Sequence, residues 1–122
     1  MIEERTTARA LGKSGEKAAV RYLKSKKFRI IKRNFRFLRG EIDIIAYEGK
    51  TLVFVEVKAR KSKEFGPPEE AVTLLKQRQI KRVAQGFLAQ NNLQDAECRF
   101  DVLSLSFNEK TGFQINHLKD AF

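Results

Sequence analysis

The chain has no tryptophan, one cysteine, one histidine and two prolines among its 122 residues. A lone Cys98 rules out an intrachain disulfide and a cysteine-built zinc cage, and it suits a reducing cytosol. As a small thiol in an otherwise ordinary stretch, it is expected to be buried. A lone His117 leaves histidine-based acid–base chemistry a single candidate, and a structural role is expected for it. No apolar run approaches the ~18 residues that span a bilayer, and Met1–Thr7 carries no apolar stretch of signal-peptide type. A glycine-rich phosphate loop of the Walker kind is missing, so ATP hydrolysis is not indicated. Repeats and long linkers are missing too, which fits one domain over residues 1–122. The expected setting is cytoplasmic, with no membrane partner.

Acidic residues are outnumbered: 25 Lys and Arg stand against 15 Asp and Glu, a net charge of +10. Such an excess favours polyanionic partners, nucleic acid first. It is also localised, since residues 1–40 carry 13 basic side chains and three Glu, whereas residues 41–70 carry five basic and seven acidic ones. A positive surface around an acidic island suits a phosphate-tracking face around a divalent cation, although a solvated basic helix would give the same charge.

Apolar periodicity divides the chain. Leu11, Gly15, Ala18, Ala19, Tyr22 and Leu23 recur at three- and four-residue steps, which predicts an amphipathic helix over 8–26. Gly12 and Gly15 each weaken that helix by about 1 kcal/mol relative to Ala, which suggests a close backbone approach there. Strands are predicted over Phe28–Phe37, Gly40–Ala46 and Thr51–Ala59, with a hairpin turn at Tyr47–Lys50. Pro67-Pro68-Glu69-Glu70 would open a second helix, with Val72, Leu75, Ile80, Val83, Phe87 and Leu88 as its buried stripe and Asn91-Asn92 as its stop. Strands over Phe100–Phe107 and Phe113–Leu118 follow. The order α-β-β-β-α-β-β predicts an α/β fold, a mixed sheet with a helix on each face.

The informative stretch is Gly40-Glu41-Ile42-Asp43-Ile44-Ile45, followed by Val53-Phe54-Val55-Glu56-Val57-Lys58. Strand alternation sets Glu41 and Asp43 opposite Ile42, Ile44 and Ala46, and it sets Glu56 and Lys58 opposite Val53, Val55 and Val57. If the two strands pair, both aliphatic sets must face one core, so three carboxylates and one amine should share the other face. Cross-strand neighbours lie ~5 Å apart and diagonal ones ~7 Å. Carboxylates so close repel unless a cation or proton intervenes, and Mg²⁺ takes hard oxygen ligands of this kind. Asp43 and Glu56 would be its side-chain ligands and the Val57 carbonyl a third, while Lys58 would steady the attacking water or the transition-state phosphate. Glu41 either lines the site or balances Lys58. A phosphate contact by Lys76 is less favoured than a plain surface position, and Arg99 with Asp101 suits a structural ion pair.

Asp43, a 12-residue gap and Glu56-x-Lys58 resemble the PD-(D/E)xK nuclease signature, with Ile42 standing where that motif has its proline. Together with Gly12-x-x-Gly15-Glu16, Arg33-Asn34, Phe54-Val55-Glu56-Val57-Lys58-x-Arg60 and Arg99-Phe100-Asp101, the sequence resembles the YraN family of bacterial proteins, relatives of archaeal Holliday-junction resolvases. The resemblance extends from about Gly12 to Phe122. It implies a restriction-endonuclease-like fold and a nuclease site using Mg²⁺ or Mn²⁺, with Glu16 matching the helix-one acid set near the metal. Taken alone, Glu16 fits equally well as a solvated residue paired with a nearby lysine. Related resolvases act as dimers, so a homodimer is also implied.

The expected function is therefore metal-dependent endonucleolytic cleavage of DNA, branched or structured DNA included. Lys13, Lys17, Arg21, Arg33, Arg36 and Arg39 would hold the backbone largely without reading sequence. The rival expectation is a non-catalytic nucleic-acid-binding protein that keeps the same fold. Its binding would depend steeply on salt, and added Mg²⁺ would create no new strand ends.

Overall fold

The computed structural model describes residues 8–61 and 72–122. Its elements are α1 (Ala8–Ser25), β1 (Arg29–Phe37), β2 (Gly40–Glu48), β3 (Thr51–Lys61), α2 (Leu74–Gln90), β4 (Cys98–Asn108) and β5 (Gly112–Leu118). The five strands form one sheet in the order β1-β2-β3-β4-β5. All neighbours are antiparallel except β3 and β4, which run parallel. A parallel pair needs a crossover connection, and α2 lies within it. The predicted mixed α/β architecture and element order are thus observed.

β3 is the central strand, as its apolar run on both faces implied. Val53 and Val55 pack with Ala18, Ala19 and Leu23 of α1, whereas Leu52 and Phe54 pack with Ile80, Val83 and Phe87 of α2. The helices therefore cover opposite faces of the sheet. Phe54 has the Phe87 ring at 6.1 Å, edge-on, and the Phe100 ring stacked at 5.4 Å. Among the described residues no helix is long and apolar enough to cross a membrane.

Several local expectations change. Pro67–Glu70 lie outside the described residues, and α2 starts at Leu74 with Thr73 as its cap, whose hydroxyl accepts the Lys76 N–H at 3.2 Å. Leu75 is 76% exposed instead of buried, because it sits on the first turn, ahead of the point where α2 reaches the sheet at Ile80. The stop at Asn91 is observed, with Asn91 as the C-cap and Asn92 at φ 55°. The β2–β3 turn narrows to Gly49-Lys50, with Gly49 at φ 60°, as Tyr47 and Glu48 remain in β2. Cys98 is exposed at the start of β4, so the expected buried thiol is corrected.

A polar knot ties the far end together. Asp101 is fully buried and accepts from Arg99 at 2.8 Å, from the Asp120 N–H at 3.0 Å, and meets His117 Nε2 at 2.8 Å. Arg99 also reaches Glu48 at 2.7 Å, and the other His117 nitrogen meets the Tyr22 hydroxyl at 3.1 Å. Burial opposes ionisation of Asp101, yet the bonds from His117 and Arg99 prevail and hold its carboxyl down at about 2. Structural roles for Arg99, Asp101 and His117 agree with the expectation.

The two glycines of α1 behave differently. A Cβ on Gly15 would lie 2.6 Å from the Ala59 side chain, so α1 rests its backbone against β3 beside the Glu56–Lys58 segment. A Cβ on Gly12 would meet nothing within 4 Å, which corrects the expected close approach there. Gly12→Ala should therefore raise stability by up to about 1 kcal/mol. Gly15→Ala should lower it by about 1–2 kcal/mol through overpacking. Urea melts of both variants distinguish these opposite signs.

Candidate metal centre

The ladder between β2 and β3 runs from Glu48↔Thr51 to Ile44↔Val55. Beyond it the Val57 N–H donates to Asp43 Oδ2 at 2.8 Å. A backbone N–H in this half-buried position needs an acceptor, and the carboxylate supplies one where the strand pairing ends. Glu56 adjoins this bond on the α2 side and is only 5% exposed. Lys58 Nζ lies 3.6 Å from Glu56 Oε2, and Lys76 Nζ from the first turn of α2 lies 3.9 Å from the same oxygen. The two lysines are about a third exposed, so they stand at the mouth of the site.

Burial, and then the nearby Glu56 charge, push the Asp43 carboxyl up to about 7, against the lowering effect of the Val57 N–H. Below about pH 7 Asp43 therefore keeps its proton, where two ionised carboxylates would repel. Asp43 and Glu56 would hold a divalent cation, which would relieve that repulsion without the proton. The donor set fits such an ion, since Mg²⁺ is commonly held by one or two carboxylates and completes its shell with carbonyls, waters and phosphate oxygens.

The expectation of three converging carboxylates is corrected. Ile42 packs in the α2 cluster while Ile44 packs in the α1 cluster, so alternation breaks between them. Opposite it, Asn34 of β1 sits at φ 53°, a left-handed kink that moves Phe35 to the α2 side although Arg33 meets α1. Glu41 is therefore turned toward α1, where its ion pair is with Arg36 at 3.9 Å instead of Lys58. Among the described residues, no three His, Cys, Asp or Glu side chains are grouped to hold one ion. Two carboxylates and backbone remain.

Glu16 stands on the α1 side and pairs with Arg33 at 3.9 Å, an arginine rather than the lysine considered for it. With its amide nitrogen turned toward them, Asn34 donates to Glu16 at 3.2 Å and to Glu41 at 3.1 Å. Burial raises the Glu16 carboxyl above its ordinary range, and the Asp43 charge adds to this. Glu16 is thus electrostatically coupled to Asp43. Asn34, quoted only as part of a motif, and Lys76, ranked as a surface lysine, are the neighbours that sequence reasoning undervalued. A polar residue breaking a strand of alternating pattern was the one available signal for Asn34.

The six basic residues expected to hold a backbone are all exposed. Lys13, Lys17 and Arg21 recur every four residues and form one stripe along α1. Arg33, Arg36 and Arg39 come from β1 and its turn into β2, and the first two are engaged by Glu16 and Glu41.

Residues 15–105 match the family described as Uncharacterised protein family UPF0102. The chain belongs to this family. Among its similar relatives are UPF0102 proteins of Geotalea uraniireducens, 49% identical over 98% of this chain and 94% of that protein, and Geotalea daltonii, 51% identical over the same shares. A UPF0102 protein of Caldicellulosiruptor saccharolyticus is 50% identical over 93% of this chain and 98% of its own length. The matched UPF0102 segment begins at Gly15 and includes Asp43, Glu56, Lys58 and Lys76.

The Asp43 environment predicts a pH signature in this UPF0102 protein. Its folded pKa of about 7 lies above the ordinary 3.8, so between those values the fold retains a proton that the unfolded chain has released. Stability then falls as pH rises through this window and levels off above about 7. Asp43→Asn keeps an acceptor for Val57 without the charge. Thermal melts with chelator should show the variant gaining on wild type from pH 4 to pH 8; a constant difference would contradict the raised Asp43 carboxyl.

Proposed function

We propose that this protein is a Mg²⁺- or Mn²⁺-dependent endonuclease acting on DNA, branched and otherwise structured DNA included. The observation that carries the proposal is the Asp43–Glu56 pair at the end of the β2–β3 ladder, with Val57 fixing one carboxylate and Lys58 beside the other. A half-buried and a buried acid side by side, with an ammonium at the mouth, would suit a hard cation whose open positions take a phosphate. The resemblance of Asp43, Glu56 and Lys58 to the PD-(D/E)xK signature supports the same reading.

Bound there, the ion would supply Lewis-acid polarisation of a phosphoryl oxygen and acidify water for in-line attack at phosphorus. Asp43 and Glu56 would hold it, with the Val57 carbonyl as a third oxygen. Before that, Asp43 must release the proton it keeps below about pH 7, so occupancy should rise with pH. Lys58 is placed to stabilise charge growing on the phosphate. The Glu16 carboxyl, coupled to Asp43 and tethered by Asn34 and Arg33, adds negative potential on the α1 side. Lys13, Lys17, Arg21, Arg33, Arg36 and Arg39 would track the backbone, and contact by all six gives a log–log salt slope of about −5.

One observation favours the non-catalytic alternative: Lys58 and Lys76 already neutralise Glu56 without a cation. Incubating linear, flapped, four-way and single-stranded DNA, and RNA, with Mg²⁺ or Mn²⁺ and with chelator separates the two. Wild type should cut at least one DNA only with metal, and Asp43→Asn and Glu56→Gln should lose roughly 100-fold or more of that rate. DNA affinity at fixed salt should stay within a few-fold in both variants. Salt-dependent binding with no new ends on any substrate would establish the non-catalytic reading, and equal cleavage by all three proteins would remove these residues from the chemistry.

A further inference from the structure

Glu56 is a buried anion with two ammonium groups on one of its oxygens, Lys58 from β3 at 3.6 Å and Lys76 from α2 at 3.9 Å. Neither nitrogen comes within hydrogen-bond distance, so the contacts are loose. Lys76 is nevertheless held in place at its backbone. Thr73 caps its N–H at 3.2 Å, and the neighbouring Gln77 side chain donates to the Val72 carbonyl at 3.1 Å. One carboxylate does not need two cations. Before Asp43 is counted, Glu56 with Lys58 and Lys76 stands at about +1.

A divalent cation between Asp43 and Glu56 changes that balance. Two carboxylates neutralise the ion, both ammonium groups lose their counter-charge, and the site as a whole stands at about +2. Like-charge repulsion then drives the lysines from Glu56 toward solvent. Both are about a third exposed and attached by flexible stems, so they can turn outward. The ligand that restores neutrality is a phosphate dianion or two adjacent diester phosphates.

We infer that Lys58 and Lys76 form a phosphate subsite at the mouth of the Asp43–Glu56 site, in which Lys76 serves as the Glu56 counter-ion before the cation binds and as a phosphate ligand afterwards. The inference rests on the metal-dependent reading above and adds a residue and an order of events to it. Lys76 competes with the cation in the absence of phosphate and cooperates with it in the presence of phosphate. By linkage, phosphate tightens the cation as much as the cation tightens phosphate. A lysine that only neutralises Glu56 would show no such reversal.

Calorimetry on wild type, Lys76→Gln and Lys76→Arg at pH 8 reads both halves. Titrating Mg²⁺ alone, Lys76→Gln should bind it roughly three- to tenfold more tightly than wild type, with Lys76→Arg close to wild type. Titrating thymidine 5′-monophosphate at saturating Mg²⁺, Lys76→Gln should bind roughly tenfold more weakly and Lys76→Arg should retain most of the affinity. Thymidine, which lacks the phosphate, should not distinguish the three proteins. Affinities for Mg²⁺ and nucleotide that fall together, or that ignore Lys76, would overturn the subsite while leaving the metal centre standing. A wild-type protein that takes up no Mg²⁺ would overturn the metal centre itself, and the subsite with it.

Discussion

The hydrogen bond from the Val57 backbone to the Asp43 carboxylate is the contact on which the candidate site depends. Sheet pairing between β2 and β3 ends at Ile44↔Val55, yet the β3 backbone beyond still needs acceptors. Asp43 meets that need with a side chain and becomes fixed beside Glu56 as a result. Gly15 works toward the same end from outside, letting α1 rest on β3 at Ala59 and bringing Glu16 close enough to feel the Asp43 charge. Secondary structure, helix packing and electrostatics therefore meet over a few residues at the end of one ladder.

Glu56 could hardly remain ionised at 5% exposure without compensation. The protein provides it with ammonium groups from two different elements, and it spares Glu56 a second full charge by raising the Asp43 carboxyl. Both devices are removable, because the Asp43 proton leaves as pH rises and a lysine can swing out. This distinguishes the site from the Arg99–Asp101–His117 knot, where Asp101 is fully buried and bonded by three separate groups. One cluster is closed and holds strands together; the other is open and holds charge in suspense. The open one also feels Glu16, which carries Arg33 of β1 beside it.

The strand positions of Glu56 and Lys58 were legible because β3 keeps its alternation and is apolar on both faces, and Asp43 was legible from its alternation with Ile44 alone. Glu41 was not legible in the same way, since its direction follows from the left-handed backbone at Asn34 and the break between Ile42 and Ile44. Asparagine tolerates that conformation, but nothing in a strand of isoleucines, phenylalanines and basic residues dictates it. Lys76 was undervalued for a topological reason: helix periodicity shows which side of α2 faces the sheet, not which residue of β3 lies beneath its first turn. Leu75 looked like core because it is apolar, but the first turn of α2 overhangs the sheet. Cys98 misled through its type, as the first residue of β4 lies at the exposed end of the strand.

The most direct test of the account is anomalous diffraction from crystals grown at pH 8 in Mn²⁺. A single strong peak is predicted between the Asp43 and Glu56 carboxylates, with oxygens of both at about 2.1 Å, and the Val57 N–H still bonded to Asp43. Crystals soaked in millimolar Mn²⁺ that show no ion there would contradict it.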